Sequence, residues 1–141
     1  MKHKRVLLKL SGEIFGDNNK PISLQKAREI AERIIKFKKQ GNFELAIVIG
    51  GGNIFRGREK GDKKFDQTVA DNIGMLSTII NGLALAESLE NLGAKAKILT
   101  AIDMKKIAES FKRDEAAIYL KKNILIFAAG TGNPFFSTDT A

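Results

Sequence analysis

The chain has 141 residues, enough for one domain with its own core, and its hydrophobic fraction of 43% is ordinary for a globular protein. It contains no cysteine and a single histidine, His3, so disulfides and Cys-ligated zinc are excluded and His-based catalysis is not expected. The net charge is +8, yet the basic residues are dispersed, with no arginine-rich arm, zinc-finger spacing or RNP-like aromatic motif; a small anionic ligand fits this balance, and nucleic acid is not the expected partner.

The amino terminus, MKHKRVLLKLSGE, is not a signal peptide, because its apolar run is short and contains Lys9. No segment shows the roughly 18 apolar residues of a membrane span. A soluble, cytoplasmic protein without membrane contact is expected. RVLLKL (5–10) predicts a first buried strand ended by Ser11 and Gly12. Lys9 inside it is either aimed at a phosphate from the strand's carboxyl end or snorkels to water.

GDNNK (16–20) is turn-rich, and a helix is predicted over 23–40, with Ser23 as N-cap and Gly41 as stop signal. Its buried stripe is Ala27, Ile30, Ala31, Ile34 and Phe37. LAIVIGGGNIFRG (45–57) follows. Its continuous apolar run predicts a strand buried on both faces, and its glycines let backbone N–H groups approach an anion. Arg56 adds a planar cation suited to phosphate oxygens.

RGREKGDKKFDQ (56–67) is a polar surface loop, with Arg58 as its one further candidate for ligand contact. A long helix is predicted over 68–92, closed by Gly93. Val69, Ile73, Leu76, Ile80, Leu83 and Leu89 supply its apolar positions, while Asp71, Met75, Thr78 and Gly82 share a small or polar face open to another helix or a ligand. Asp71 either favours the helix dipole or accepts hydrogen bonds from ribose hydroxyls. KAKILT (95–100) predicts a third strand, 103–122 a helix with a break at 112–114, and ILIFA (124–128) a fourth buried strand.

Neither GxxxxGKS/T nor GxGxxG is present, which removes P-loop and Rossmann readings. The signal lies instead in three small-residue loops, SG, GGGN and AGTGN, at predicted strand ends, where α/β proteins bind ligands. Lys9 and Arg56 beside two of them indicate a multiply phosphorylated ligand. No Ser-His-Asp set or carboxylate pair is present, and phosphoryl transfer needs neither.

KLSGE (9–13), VIGGGNIFRG (48–57), DNIGMLSTIINGLAL (71–85) and AAGTGNPFFSTDTA (128–141) closely resemble the bacterial uridylate kinases (UMP kinases) of the amino-acid-kinase family. The resemblance implies an α/β fold, a three-layer α/β/α sandwich with a mainly parallel sheet, truncated here. On this resemblance, residues 1–141 are expected to correspond to its N-terminal, UMP-binding part, without the C-terminal ATP-binding part. It implies transfer of the ATP γ-phosphoryl group to UMP, giving UDP and ADP in pyrimidine nucleotide biosynthesis, with Mg²⁺ accompanying ATP and no metal ligand assigned in this chain.

By motif, Lys9, Arg56 and Asp139 are catalytic; Lys9, Leu10, Ser11, Gly12, Gly52 and Arg56 contact ATP. Gly51, Asp71, Thr131, Gly132, Asn133, Pro134, Phe135, Phe136, Ser137 and Thr138 contact UMP. The resemblance also implies a homohexamer with GTP and UTP as effectors. By itself the chain is expected to bind UMP with little or no turnover. The competing expectations are another amino-acid-kinase member, acting on a carboxylate or isopentenyl phosphate, and a non-catalytic anion-binding or storage module on the same fold.

Overall fold

The computed structural model describes residues 4–56 and 65–136. The elements are β1 (Lys4–Leu10), a single 3-10 turn (Gly12–Phe15), α1 (Leu24–Lys39), β2 (Phe43–Ile49), α2 (Gln67–Asn91), β3 (Ala96–Thr100), β4 (Glu109–Ser110), α3 (Arg113–Tyr119) and β5 (Ile124–Ala128). The five strands form one sheet in the order β1-β2-β5-β3-β4, and every pairing is parallel. Helices on both faces make the expected three layers. Of the sequence expectations, Arg58, Ser137, Thr138 and Asp139 lie outside the described residues.

Strand β2 forms where the sequence is continuously apolar, and all its residues from Glu44 to Ile49 are buried. Its Leu45, Ile47 and Ile49 face a core shared with Ala27, Ala31 and Ile34 of α1, Met75, Ile79, Leu85 and Leu89 of α2, and Ile124 and Ile126 of β5. Each fully buried large aliphatic side chain there contributes roughly 1.5–3 kcal/mol. On the opposite face Ala46, Leu99 and Leu125 pack against Ala116 of α3. The same alternation that splits the apolar run between two faces defines the two outer layers.

Ser23 caps α1 as expected, its Oγ accepting from Lys26 N–H at 3.3 Å. Asp66 caps α2, its carboxylate accepting from Val69 N–H at 3.0 Å, and Gly93 ends it with φ +86°. By length and hydropathy α2 would pass as a membrane span, contrary to the expectation from composition, but one side of it is packed on the sheet.

Four details differ from the sequence expectations. β1 is an edge strand rather than a buried one: it pairs with β2 on one side among the described residues, and Leu7 is 62% exposed. Its apolar run reads as buried because Val6, Leu8 and Leu10 do pack on the core. Phe37 leaves the α1 stripe, remaining 41% exposed with its ring against Phe43 at 5.0 Å. The predicted helix over 103–122 is mostly turn and strand. Phe111 N–H donates to Thr100 O at 2.9 Å and draws 109–110 into the sheet, so only Arg113–Tyr119 is helical.

The fourth concerns α2. Its small, polar face (Met75, Thr78, Gly82) is turned inward, whereas Val69, Leu76, Ile80 and Leu83 are exposed. The inward face is small because a helix lies close over the strands: a Cβ on Gly82 would already touch Ile126 Cγ2 at 3.5 Å. The face left open for another helix is therefore the apolar one.

Candidate functional site

The sheet order places β1, β2 and β5 side by side, so the three small-residue loops leave the carboxyl edge as neighbours. Leu10 is in register with Ile49, and Val48 with Phe127, so the strands end at a common level. With strands spaced about 4.8 Å apart, the first loop and the third are about 10 Å apart, the span of a polyphosphate chain.

The first two loops are in direct contact. Gly50 N–H donates to Leu10 O at 3.0 Å, and a Cβ on Gly12 would meet Gly50 O at 2.6 Å. Gly51 is wedged against α2: a Cβ there would fall 2.6 Å from Ser77 Cβ. The chain then turns, with Gly51 O accepting from both Ile54 N–H and Phe55 N–H at 3.1 Å. Glycine at 12 and 51 is thus required by packing. At Gly52 the nearest atom to a Cβ is the flexible Glu13 Oε1 at 3.4 Å, so this position faces open space. Among the described residues no acceptor meets the N–H groups of Gly51, Gly52, Gly130 or Thr131. Backbone donors left without an acceptor at adjacent strand ends are the kind of group from which anion-binding concavities are built.

Charge is arranged around them as follows. Arg56 Nη2 pairs with Glu13 Oε1, and Arg56 Nε donates to Gly52 O at 3.4 Å. The pair bridges the first and second loops with both side chains more than half exposed, at 69% and 53%. Lys9 is exposed and opposite Val48, and strand alternation puts it on the sheet face away from α1 and α2. Asp71, on the first turns of α2, accepts from Gln67 Nε2 at 2.8 Å and from Phe135 N–H at 2.7 Å.

The third loop is folded on itself and held by α2. Gly132 N–H donates to Ala129 O at 2.8 Å, Asn133 N–H to Thr131 Oγ1 at 3.3 Å, and Ala129 N–H to the buried Thr78 Oγ1 at 2.8 Å. Phe135 adopts φ +67°, a left-handed conformation that costs a non-glycine residue, and is 74% exposed with Phe136 at 60%. An open apolar cleft of about 410 Å³ borders Gly130 and Thr131 and is lined by Leu99, Ala101, Phe111 and Phe127.

The structure thus gathers Gly12, Gly51, Gly52 and Arg56 at one edge and ties Asp71 to the 131–136 loop. It leaves Lys9 on the far face of the sheet. Among the described residues no group of three or more His, Cys, Asp or Glu side chains is placed to hold a metal ion.

Sequence reasoning missed Glu13, Asn53 and Asn81, all of which organise these loops. Asn81 carried a signal: an amide one turn beyond Thr78 on the face of α2 that turns inward. The other marked electrostatic cluster is remote, at the β3–β4 edge. There Lys97 Nζ lies 2.7 Å from Glu109 and 3.9 Å from the Tyr119 ring centre, and Tyr119 donates to Glu109 at 2.6 Å.

Comparison with known proteins follows the same lines. A sequence model of the amino acid kinase family matches residues 4–141. UMP kinase from Ureaplasma parvum superposes with a TM-score of 0.89 at 38% identity, over 99% of this chain and 59% of that one. UMP kinase from Bacillus anthracis gives 0.87 at 39% identity, over 97% of this chain and 57% of that one. Aspartate kinase from Synechocystis, at 14% identity and a TM-score of 0.63 over 89% of this chain and 22% of that one, shares the fold. The chain therefore spans less than two thirds of the two UMP kinases it resembles.

Proposed function

The chain belongs to the amino acid kinase family, and from that premise we propose that it supplies the acceptor side of a phosphotransferase that moves the γ-phosphoryl group of ATP to UMP. One observation carries this reading: the second and third loops, at adjacent strand ends, present the N–H groups of Gly51, Gly52, Gly130 and Thr131, which no acceptor among the described residues takes up. The choice of UMP over other acceptors is supported by the 38% and 39% identity to UMP kinases.

In the reaction a phosphate oxygen of UMP attacks the γ-phosphorus. The bond from that phosphorus to the β,γ-bridging oxygen breaks, and ADP leaves with the electron pair. The protein forms no covalent intermediate; it positions the two phosphates and offsets their charge. The N–H groups of Gly51 and Gly52 donate to phosphate oxygens at the junction of donor and acceptor, and Gly12 closes the donor side. Arg56 supplies the planar cation once phosphate competes with Glu13 for it, and Lys9 adds charge from the β1 end. Asp71 holds the ribose of UMP and the segment 131–138 its uracil and phosphate, and Asp139 is assigned to the reacting centre by the motif alone. Mg²⁺, arriving with ATP, offsets phosphate charge when bound.

Self-association through the exposed Val69, Leu76, Ile80 and Leu83 stripe accompanies this reading. The deciding experiment is competition binding on the 141-residue chain. UMP is expected to bind saturably and to be displaced by unlabelled UMP well before CMP, AMP or inorganic phosphate. Equal displacement by all four would replace this reading with a general anion-binding module.

A further inference from the structure

Between the second loop and α2 lies a pair of side-chain amides that none of the roles above uses. Asn81 is fully buried, at 0% exposure. Its Nδ2 donates to Gly50 O at 2.9 Å and to Asn53 Oδ1 at 2.7 Å. Asn53 Nδ2 donates back to Asn81 Oδ1 at 3.0 Å and to Pro21 O at 2.8 Å. Every N–H of both amides is thereby used. Each amide's orientation is fixed by a backbone carbonyl, since a flip would set oxygen against oxygen.

We propose that the Asn53–Asn81 pair is a positioning element that aims the N–H groups of the glycine turn at the bound phosphate. This rests on the phosphate-site reading above. The argument is one of peptide geometry. No cis peptide occurs among the described residues, and in a planar trans peptide the C=O and the following N–H point in opposite directions. Asn81 draws Gly50 O towards α2, so Gly51 N–H is turned away from the helix. The next peptide is set in the same manner, because Gly51 O is held by Ile54 and Phe55, which directs Gly52 N–H outward. Asn53 links this turn to the segment before α1 through Pro21. Gly12 seats on the same atoms, a Cβ there meeting Asn53 Oδ1 at 2.7 Å. An amide pair with one member fully buried and all donors engaged admits one arrangement, which is what a preorganised anion site needs.

The test uses the whole 141-residue chain with UMP and inorganic phosphate as probes. Asn81→Asp keeps the shape but removes both donors and sets a carboxylate against Gly50 O; Asn53→Asp, at a less buried position, is the second variant should the first fail to fold. Leu89→Ala, equally buried on α2 but in the main core, is the stability control. Expected are displaced ligand-free Gly51 and Gly52 amide resonances and a loss of UMP and phosphate affinity of about tenfold or more in the Asp variants. Leu89→Ala should lower the melting temperature and leave both readouts in place. Asp variants that fold and keep the Gly51 and Gly52 resonances, or keep affinity within about twofold, overturn the proposal. If the unaltered chain binds neither probe, the phosphate-site reading fails, and the ligand-free resonances still decide whether the pair orients the turn.

Discussion

The backbone N–H of Phe135 donates to Asp71 Oδ2 at 2.7 Å across 64 residues of sequence. This bond ties the third loop to the first turns of α2 and accompanies a left-handed Phe135 backbone at φ +67°. With Thr78 bonded to Ala129 and Asn81 to Gly50, one face of α2 fixes the second and third loops relative to each other. Asp71→Asn should leave the fold intact, at a stability cost of about 1 kcal/mol for a weakened hydrogen bond. It should speed hydrogen exchange at Phe135 and weaken UMP binding. Unchanged exchange at Phe135 would show that the loop is held by other contacts.

Glu13 neutralises the cation that the proposed reaction assigns to phosphate. Glu13→Gln should therefore raise affinity for inorganic phosphate several-fold at low ionic strength, with the gain shrinking as salt is added. Because both partners are largely exposed, stability should change by less than about 1 kcal/mol. Isothermal titration at two salt concentrations checks the pair of statements together.

The glycines at 51 and 52 should respond differently to alanine. A methyl at 51 has to displace Ser77 on α2, an overpacking cost of about 1–3 kcal/mol. A methyl at 52 meets only the end of Glu13, so melting temperature should hardly move while phosphate affinity falls. Thermal unfolding and phosphate titration of Gly51→Ala and Gly52→Ala separate packing from ligand access at neighbouring positions.

The exposed stripe of α2 predicts the assembly state. Leu76→Lys and Ile80→Lys place charge on positions 45% and 44% exposed, so the monomer should tolerate them. Sedimentation velocity should show a shift towards monomer relative to the unaltered chain. An unchanged distribution would exclude this face as the contact.

At the β3–β4 edge the titration signs are fixed by hydrogen bonding. Lys97, then the Tyr119 hydroxyl, hold the Glu109 carboxyl below its ordinary value of 4.5. Its stabilising contribution is present above that value and is lost as pH falls through the depressed one. Donating to the Glu109 carboxylate raises Lys97 above 10.5 and Tyr119 above 10.0. Their contribution is present below those values and disappears as pH rises through the raised ones. Glu109→Gln should flatten both limbs of a melting-temperature profile against pH.

The sequence alone determined the β-α-β order, the α1 cap at Ser23, the buried strand ending at Ile49 and the small-residue loops at strand ends, because each rests on local chain chemistry. Periodicity identifies a face but not its direction. The inward face of α2 therefore had to be decided by the sheet beneath it, which accepts small side chains where the helix lies close. The strand order β1-β2-β5, which makes three distant loops neighbours, is a property of long-range pairing that no window of sequence contains. So are the contacts of Glu13 with Arg56, Asn53 with Asn81 and Asp71 with Phe135. The sequence named the glycines proposed to donate to phosphate; the packing of the sheet and α2 decided which way their N–H groups point.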